Sequence, residues 1–540
     1  MLGTDFSCKA ANEKGMHARD AKRSKARPAL WRLRQRYIRD ERGSLTVFGL
    51  FTFVIILLLA GMGIDIMRQE TLRAELQNTL DRSVLAAANL DSTLDAEAVV
   101  TDYFAKAGLL DYLASVETVT SGDGRSVTAR VSADLPTYFM RYAGINDLSF
   151  KSHGTAEQGL ANLEISLVLD VSNSMNSNNK FYNLTIAAED FADTIFANSA
   201  EGAVSVSVVP YSTQVNAGAT ILGEFNIADR HDTSYCINFG ATDFSTTAID
   251  TATLYHQTMH FDPWYYTGFD NGLRLQVCDP DSGNNILPLS DSLDTIKSKI
   301  AGLSADGNTS IDLGVKWGAA LLDSSAQTLT SALVTSGEVS AGMSDRPYDS
   351  SNSSLKVMVV MTDGVNTTQY YMPDSYRTGY SDIYQAADGK LSFETRSSAC
   401  YYSHCWYVPS TGSYVSSVWG GNNAVQLTWE EVWSRITVEN HAYTRYQASR
   451  YSSDYYFWTG ATRVGVNNAT KNARLDAICS AAKEKGILVF TIGFEAPTDA
   501  EAALKSCASS DAHYYDVDGL EIADAFSAIA TKVTELRLVE

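Results

Sequence analysis

Residues 163–174, Leu163-Glu-Ile165-Ser-Leu167-Val-Leu169-Asp170-Val-Ser172-Asn-Ser174, decide the fold. The alternating, branched apolar half reads as a buried strand whose carboxyl end delivers Asp170. Beyond the polar Asn176–Asn179 stretch, Leu184, Ala187, Ala188, Phe191 and Ile195 recur at helical spacing, so Asp170, Ser172 and Ser174 lie on a strand-to-helix loop. A second apolar run, Leu355 to Thr362, ends on Asp363-Gly364 in the same way. Thr309 closes a polar stretch just before a third pattern, a helix over Leu313 to Leu322. In an open parallel sheet flanked by helices, loops at the carboxyl ends of the strands converge and bind ligands. Two carboxylates and three hydroxyls are hard oxygen donors suited to magnesium, or to manganese or calcium.

The spacing D-x-S-x-S, then a distal threonine, then a distal aspartate, resembles the metal-ion-dependent adhesion site of von Willebrand factor A domains. The resemblance implies a Rossmann-like α/β fold, a doubly wound and mostly parallel sheet. It also implies that Ser172, Ser174 and Thr309 bind the ion directly, with Asp170 and Asp363 binding directly or through water. Either string alone equally suits a helix cap or a turn. Three strings in order on the expected elements favour the metal site.

Charge is divided along the chain. Residues 1–43 carry 12 Lys and Arg against 5 Asp and Glu, while the whole chain has a formal charge of −21. So acidic a body argues against a nucleic-acid partner. The basic segment stops at Leu45–Ile64, a 20-residue run without a charge that as a helix spans about 30 Å of hydrocarbon. Positive charge before the span places the amino terminus in the cytoplasm and the large body outside. A cleaved secretory signal is the rival reading, but the run is long and no small-residue cleavage site follows it. Cys8 is then a cytoplasmic thiol, and the other six cysteines form an even set in an oxidising compartment. Sequence alone does not fix their pairing; nearness in the inferred fold favours Cys236 with Cys278, Cys400 with Cys405 and Cys479 with Cys507. Zinc is disfavoured because no C-x-x-C pair occurs.

Past the span, Leu72, Leu76, Leu80 and Val84 step every four residues along an amphipathic stalk. Ser126 to Ser132 and Leu148 to Ser152 alternate like strands and supply a small sheet for it to pack on. Arg42-Gly-Ser-Leu-Thr-Val-Phe-Gly, Gly63-Ile-Asp65-Ile-Met-Arg68 and Leu76 to Ala88 resemble the amino-terminal segment of TadE/TadG-type pilus-assembly proteins. Val357 to Gly364, Lys485 to Phe494, Leu504 to Ser509 and Ala525 to Leu538 resemble the TadG version of the A domain. The resemblance implies an inner-membrane component of a tight-adherence (Flp) pilus system, facing the periplasm of a Gram-negative bacterium. Prepilins of that system carry a glutamate five residues after the cleaved glycine; here the fifth residue after Gly43 is Phe48, which argues against processing.

The expected order is a basic tail at 1–43, the span at 44–66, stalk and small pilin-like sheet at 67–160, and the A domain at 161–540. Insertions fall at about 220–286 and 367–462. The second holds 14 of the 28 tyrosines and 5 of the 8 tryptophans. Such rings suit a recognition surface, and equally a small core of the insertion's own, helped by Trp429, Val432, Trp433 and Ile436. His256, His260 and Asp262 lack the glutamate of a zincin helix, and Asp279 to Asn285 departs from calcium-loop register, so both read as structural. No phosphate loop or nucleophile elbow occurs. The chain therefore reads as a non-enzymatic binding or assembly protein engaging other pilus proteins through the metal site and the aromatic insertion. A purely structural ion is the alternative, and a metal hydrolase the remote one.

Overall fold

A computed structural model describes residues 42–89, 94–121, 124–160, 162–264, 269, 272–349, 354–400, 404–536 and 538–539. Residues 1–41 of the basic tail, Cys8 among them, lie outside them. The chain divides into two compact units.

The first unit contains most of a single unbroken helix, α1 (Arg42–Ala88), which includes a stretch apolar enough to cross a membrane. With it are α2 (Ala96–Ala107) and parts of three strands, β1 (Leu113–Ser121), β2 (Gly124–Pro136) and β3 (Asp147–Leu160), in the order β1-β2-β3. On the helix, Leu76, Leu80 and Val84 are buried, as their four-residue spacing demands. Gly154 lets Leu80 pack directly on β3, for a Cβ there would meet the leucine Cγ at 3.0 Å. Beside it, the Ser152 hydroxyl donates to Gln77 (2.7 Å).

The second unit is a mixed α/β body. Its sheet comprises β4 (Asn162–Asp170), β5 (Val204–Tyr211), β6 (Leu287–Ser290), β7 (Ser354–Thr362), β8 (Leu488–Phe494) and β9 (Tyr514–Val517), in the order β9-β8-β7-β4-β5-β6. Five strands are parallel; β6 runs antiparallel at the edge, so the sheet is mixed rather than parallel throughout. The reason is where the first insertion returns the chain. Asn216, just past the end of β5, bridges Asn285, so β6 starts at the end where β5 stops and can only run back along it.

Helices cover both faces. Leu163, Ile165, Leu167 and Leu169 of β4 join one core with α3 (Lys180–Ala197), α4 (Leu293–Ala301) and α8 (Glu521–Leu536). Val168, Val209, Met358 and Val360 join the other with α5 (Ile311–Ala320) and α6 (Asn468–Glu484), and α7 (Thr498–Cys507) contributes Cys507 there. Alternating side chains thus feed two separate layers. Helix α5 lies unusually close to the sheet: a Cβ on Gly318 would come within 2.4 Å of Val168, and one on Gly314 within 2.6 Å of Tyr211.

The first insertion packs Phe225, Phe239 and Phe244 into the main body's core with Val168 and Trp317, whereas the second has a core of its own. A five-stranded antiparallel sheet runs from Tyr380 to Thr428, and Met372, Ile383, Phe393, Tyr407, Trp429 and Trp433 form one cluster with Met259 and Phe261 from the first insertion. Trp429 and Trp433 stack at 5.3 Å. A Thr428 capping box starts the short helix Trp429–Trp433, and Ile436 lies beyond its end. Tyr380, Tyr451, Tyr456 and Phe457 remain exposed. Disulfides join Cys236 to Cys278, Cys400 to Cys405 and Cys479 to Cys507, with Cα separations of 5.9, 5.4 and 5.0 Å.

Candidate metal centre

Strand β4 ends on Asp170, which is fully buried, and its neighbour β7 ends on Thr362, one residue before Asp363. Because the two strands are parallel and adjacent, their carboxyl ends bring the two aspartates together. Asp170 accepts the Ser172 amide on Oδ1 (2.8 Å) and the Thr362 hydroxyl on Oδ2 (2.6 Å). Ser172 and Ser174 share a hydrogen bond between hydroxyls (3.0 Å), and the Ser174 hydroxyl donates to Asp363 Oδ1 (2.6 Å). Thr309 completes the group: a Cβ on Gly364 would stand 3.8 Å from its hydroxyl and 3.9 Å from that of Ser174. Its loop is tied to the first by the Asn173 amide donating to Gly307 O (3.1 Å) and the Asp306 amide to Val171 O (2.8 Å). All five residues singled out in the sequence therefore meet at one end of the sheet.

Two lysines that sequence reasoning passed over support this group. The Lys180 ammonium lies 2.5 Å from Asp363 Oδ2 and is almost buried. Lys471, with no exposed surface, donates to Thr309 O (3.1 Å), Thr367 O (3.0 Å) and the Ser310 hydroxyl, and pairs with the buried Asp312 (3.6 Å). Each sits in the first turn of its helix, where the macrodipole disfavours a cation. That misplacement was the available signal: a lysine held at the wrong helix end needs an anion or carbonyls to face. The base of the second insertion also grips Thr309, whose amide donates to the Thr367 hydroxyl (3.0 Å) while the Thr367 amide donates to Thr309 O (3.0 Å). Asn366 accepts the Ile311 amide (2.8 Å), capping the start of α5.

Electrostatics set the two carboxylates against each other. Burial, and then the negative charge of Asp363, push the Asp170 carboxyl up to about 7, despite the hydrogen bonds from Thr362 and Ser172. Two close buried carboxylates with three hydroxyls form a donor set that suits a hard divalent cation, which would relieve this repulsion. Among the described residues no cluster of three or more His, Cys, Asp or Glu gathers as a metal site. The histidine motif is not one. His256 lies 3.9 Å from Asp229, His260 stacks on Tyr370, and Asp262 accepts the Trp264, Arg274 and Leu275 amides (2.9, 3.0 and 3.1 Å) to shape a loop. Asp279 accepts the Asp281 amide (3.0 Å), a turn.

The class that fold and site define is a mixed α/β body with a polar, oxygen-lined centre at the carboxyl edge of its sheet, on a chain carrying one membrane-spanning candidate. More particularly, residues 43–90 match the family model of putative Flp pilus-assembly TadE/G-like proteins. No curated protein matches the chain. Among solved structures, the pilus adhesin SpaC from Lactobacillus rhamnosus GG is 12% identical, over 78% of this chain and 34% of its own, with a TM-score of 0.31. This chain thus spans about a third of SpaC. The vWF domain of the type V pili tip protein Mfa5 from Porphyromonas gingivalis is 14% identical over 71% of this chain and 98% of its own, with a TM-score of 0.32. The pilus adhesin RrgA from Streptococcus pneumoniae is 13% identical over 77% and 50%, with a TM-score of 0.31.

Proposed function

We propose that this protein is a membrane-anchored, non-enzymatic assembly protein of an Flp pilus system, of the TadG kind. Its von Willebrand factor A-type body uses a divalent ion at Asp170, Ser172, Ser174, Thr309 and Asp363 to engage an acidic group of a partner protein. The observation that carries the reading is the meeting of those five oxygen side chains on three loops at the carboxyl edge of the sheet. The TadE/G-like match at residues 43–90 supports the pilus context.

When bound, magnesium, manganese or calcium supplies a positive centre with an exchangeable water position that an incoming Asp or Glu oxygen can take. The chain's own residues prepare it. Ser172 and Ser174 present hydroxyls from the first loop; Asp170, held by Thr362, supplies buried negative charge; Lys471 and Thr367 hold the backbone that carries Thr309. The partners are other pilus-assembly or pilin proteins, with the exposed rings of the second insertion as a second contact. In this reading α1 anchors the chain in the inner membrane with the second unit in the periplasm.

The test is co-purification from membranes of the native host, with the intact chain and with Asp363→Ala, in magnesium and in chelator. Metal-dependent recovery of pilus proteins by the intact chain alone is the expected result. Recovery unchanged by both treatments would reject a binding role for the ion, and with a lowered melting temperature it would favour a purely structural one.

A further inference from the structure

The first unit carries a short loop that the metal site does not use, at the place where α1 leaves its apolar run. Asp65 follows the uncharged Leu45–Ile64 segment directly and is 1% exposed. Its carboxylate accepts three successive backbone amides, those of Tyr138 (3.0 Å), Phe139 and Met140 (both 2.8 Å). The helical turn Met140–Ala143 is thereby tied to the exit of the span. Phe139 reaches further in. A Cβ on Gly61 would lie 2.2 Å from its ring, so the glycine opens a seat one helical turn, about 6 Å, inside the apolar run.

The rest of the loop faces outward. Tyr138, Tyr142 and Ile145 are 59%, 76% and 43% exposed. Arg68, one turn beyond the span, stacks over the Tyr138 ring at 4.2 Å, and Arg141 lies 5.8 Å from that of Tyr142. So much apolar and aromatic surface on one short loop is costly in water. Tyrosines with apolar bodies and polar tips, mixed with arginines, are what the headgroup level of a bilayer favours.

We infer that residues 138–145 are a membrane-interface foot, latched by Asp65 and immersed at the headgroup and acyl boundary of the bilayer that α1 spans. The inference rests on the anchoring part of the reading above and is independent of the metal. The occupant is lipid because Asp65 and Gly61 hold the loop level with the last turn of the span. The foot also explains a carboxylate at that depth: three amides satisfy it where water is scarce.

The experiment uses the full chain with Cys8→Ser, which leaves the six disulfide-bonded cysteines, reconstituted in liposomes. Single nitroxide labels go on Tyr142→Cys, on Leu50→Cys inside the apolar run, and on Leu85→Cys, 20 residues beyond Asp65 on the same helix and about 30 Å further along it. Collisions with lipid-soluble oxygen and with a water-soluble nickel chelate are then compared. The foot requires positions 50 and 142 to favour oxygen and position 85 to favour nickel. If position 50 is immersed and 142 is aqueous, or 142 is shielded from both reagents, the foot is wrong and the anchor stands. A nickel-accessible position 50 overturns the anchor itself, and the foot with it. In a second arm, Asp65→Ala should return position 142 to the nickel reagent, and Asp65→Asn, which keeps one acceptor oxygen, should do so in part. A label still immersed in Asp65→Ala would overturn the latch.

Discussion

Lys471→Met isolates the support beneath the Thr309 loop. The ammonium is wholly buried and joins Thr309 O, Thr367 O and the Ser310 hydroxyl to the buried Asp312, neither of whose carboxylate oxygens accepts a hydrogen bond among the described residues. Burial drives the Asp312 carboxyl above its ordinary value and the Lys471 ammonium below, and in each case attraction to the other opposes the shift. Methionine keeps most of the stem's volume, so the loss reports the charge and its hydrogen bonds. Removing one member of such a pair costs about 3–5 kcal/mol, because the other charge is left buried. For a folded body of roughly 400 residues, that lowers the melting temperature by about 4–6 °C. The measurement is calorimetry of the full chain in detergent on Lys471→Met, Asp312→Asn and the double variant. The double should lose less than the two single losses together, because neither charge is left unpaired. Magnesium affinity of Lys471→Met should fall about 10- to 100-fold, as when a group orienting a ligand is removed. A loss below about 1 kcal/mol, or strict additivity in the double, would refute the argument that this pair supports Thr309.

Three further outcomes are expected. Magnesium at a hundred times its dissociation constant should stabilise the intact chain by about 2.7 kcal/mol, a rise of about 3 °C by calorimetry; Asp170→Ala should show no rise, and a flat response of the intact chain to magnesium, manganese and calcium would count against the site. Gly318→Ala should cost about 1–3 kcal/mol in urea titrations, since its methyl would sit 2.4 Å from Val168 and must push α5, which begins two residues after Thr309, off the sheet. Burial, and then Arg463, pull His260 down to about 3, so between that value and the ordinary 6.5 the unfolded chain binds a proton that the folded chain refuses. This contribution is present above pH 6.5 and is lost as pH falls, so His260→Phe should shed less stability than the intact chain between pH 7.5 and pH 5; equal slopes would reject the assignment.

What the sequence determined by itself was local. Alternation in Leu163–Leu169 and the apolar run Leu355–Thr362 marked both central strands, and helical spacing marked α3 and the stalk, because each pattern lies within a single element. The candidate ligands were legible for the same reason: Asp170, Ser172, Ser174 and Asp363 follow the two strands and Thr309 precedes a helix, and a parallel sheet brings such loops together. Tertiary structure decided what depends on partners far along the chain. The reversed edge strand β6 follows from where the first insertion returns, and Met259 and Phe261 enter the second insertion's core only because the two insertions fold against each other. Lys180 and Lys471 gained meaning only when Asp363 and Thr309, well over 100 residues away, were placed beside them. The Asp65 latch is of the same kind, a carboxylate matched with three backbone amides that no side-chain pattern encodes. Periodicity reports which face of an element is buried; it carries no record of which distant group will satisfy a buried charge.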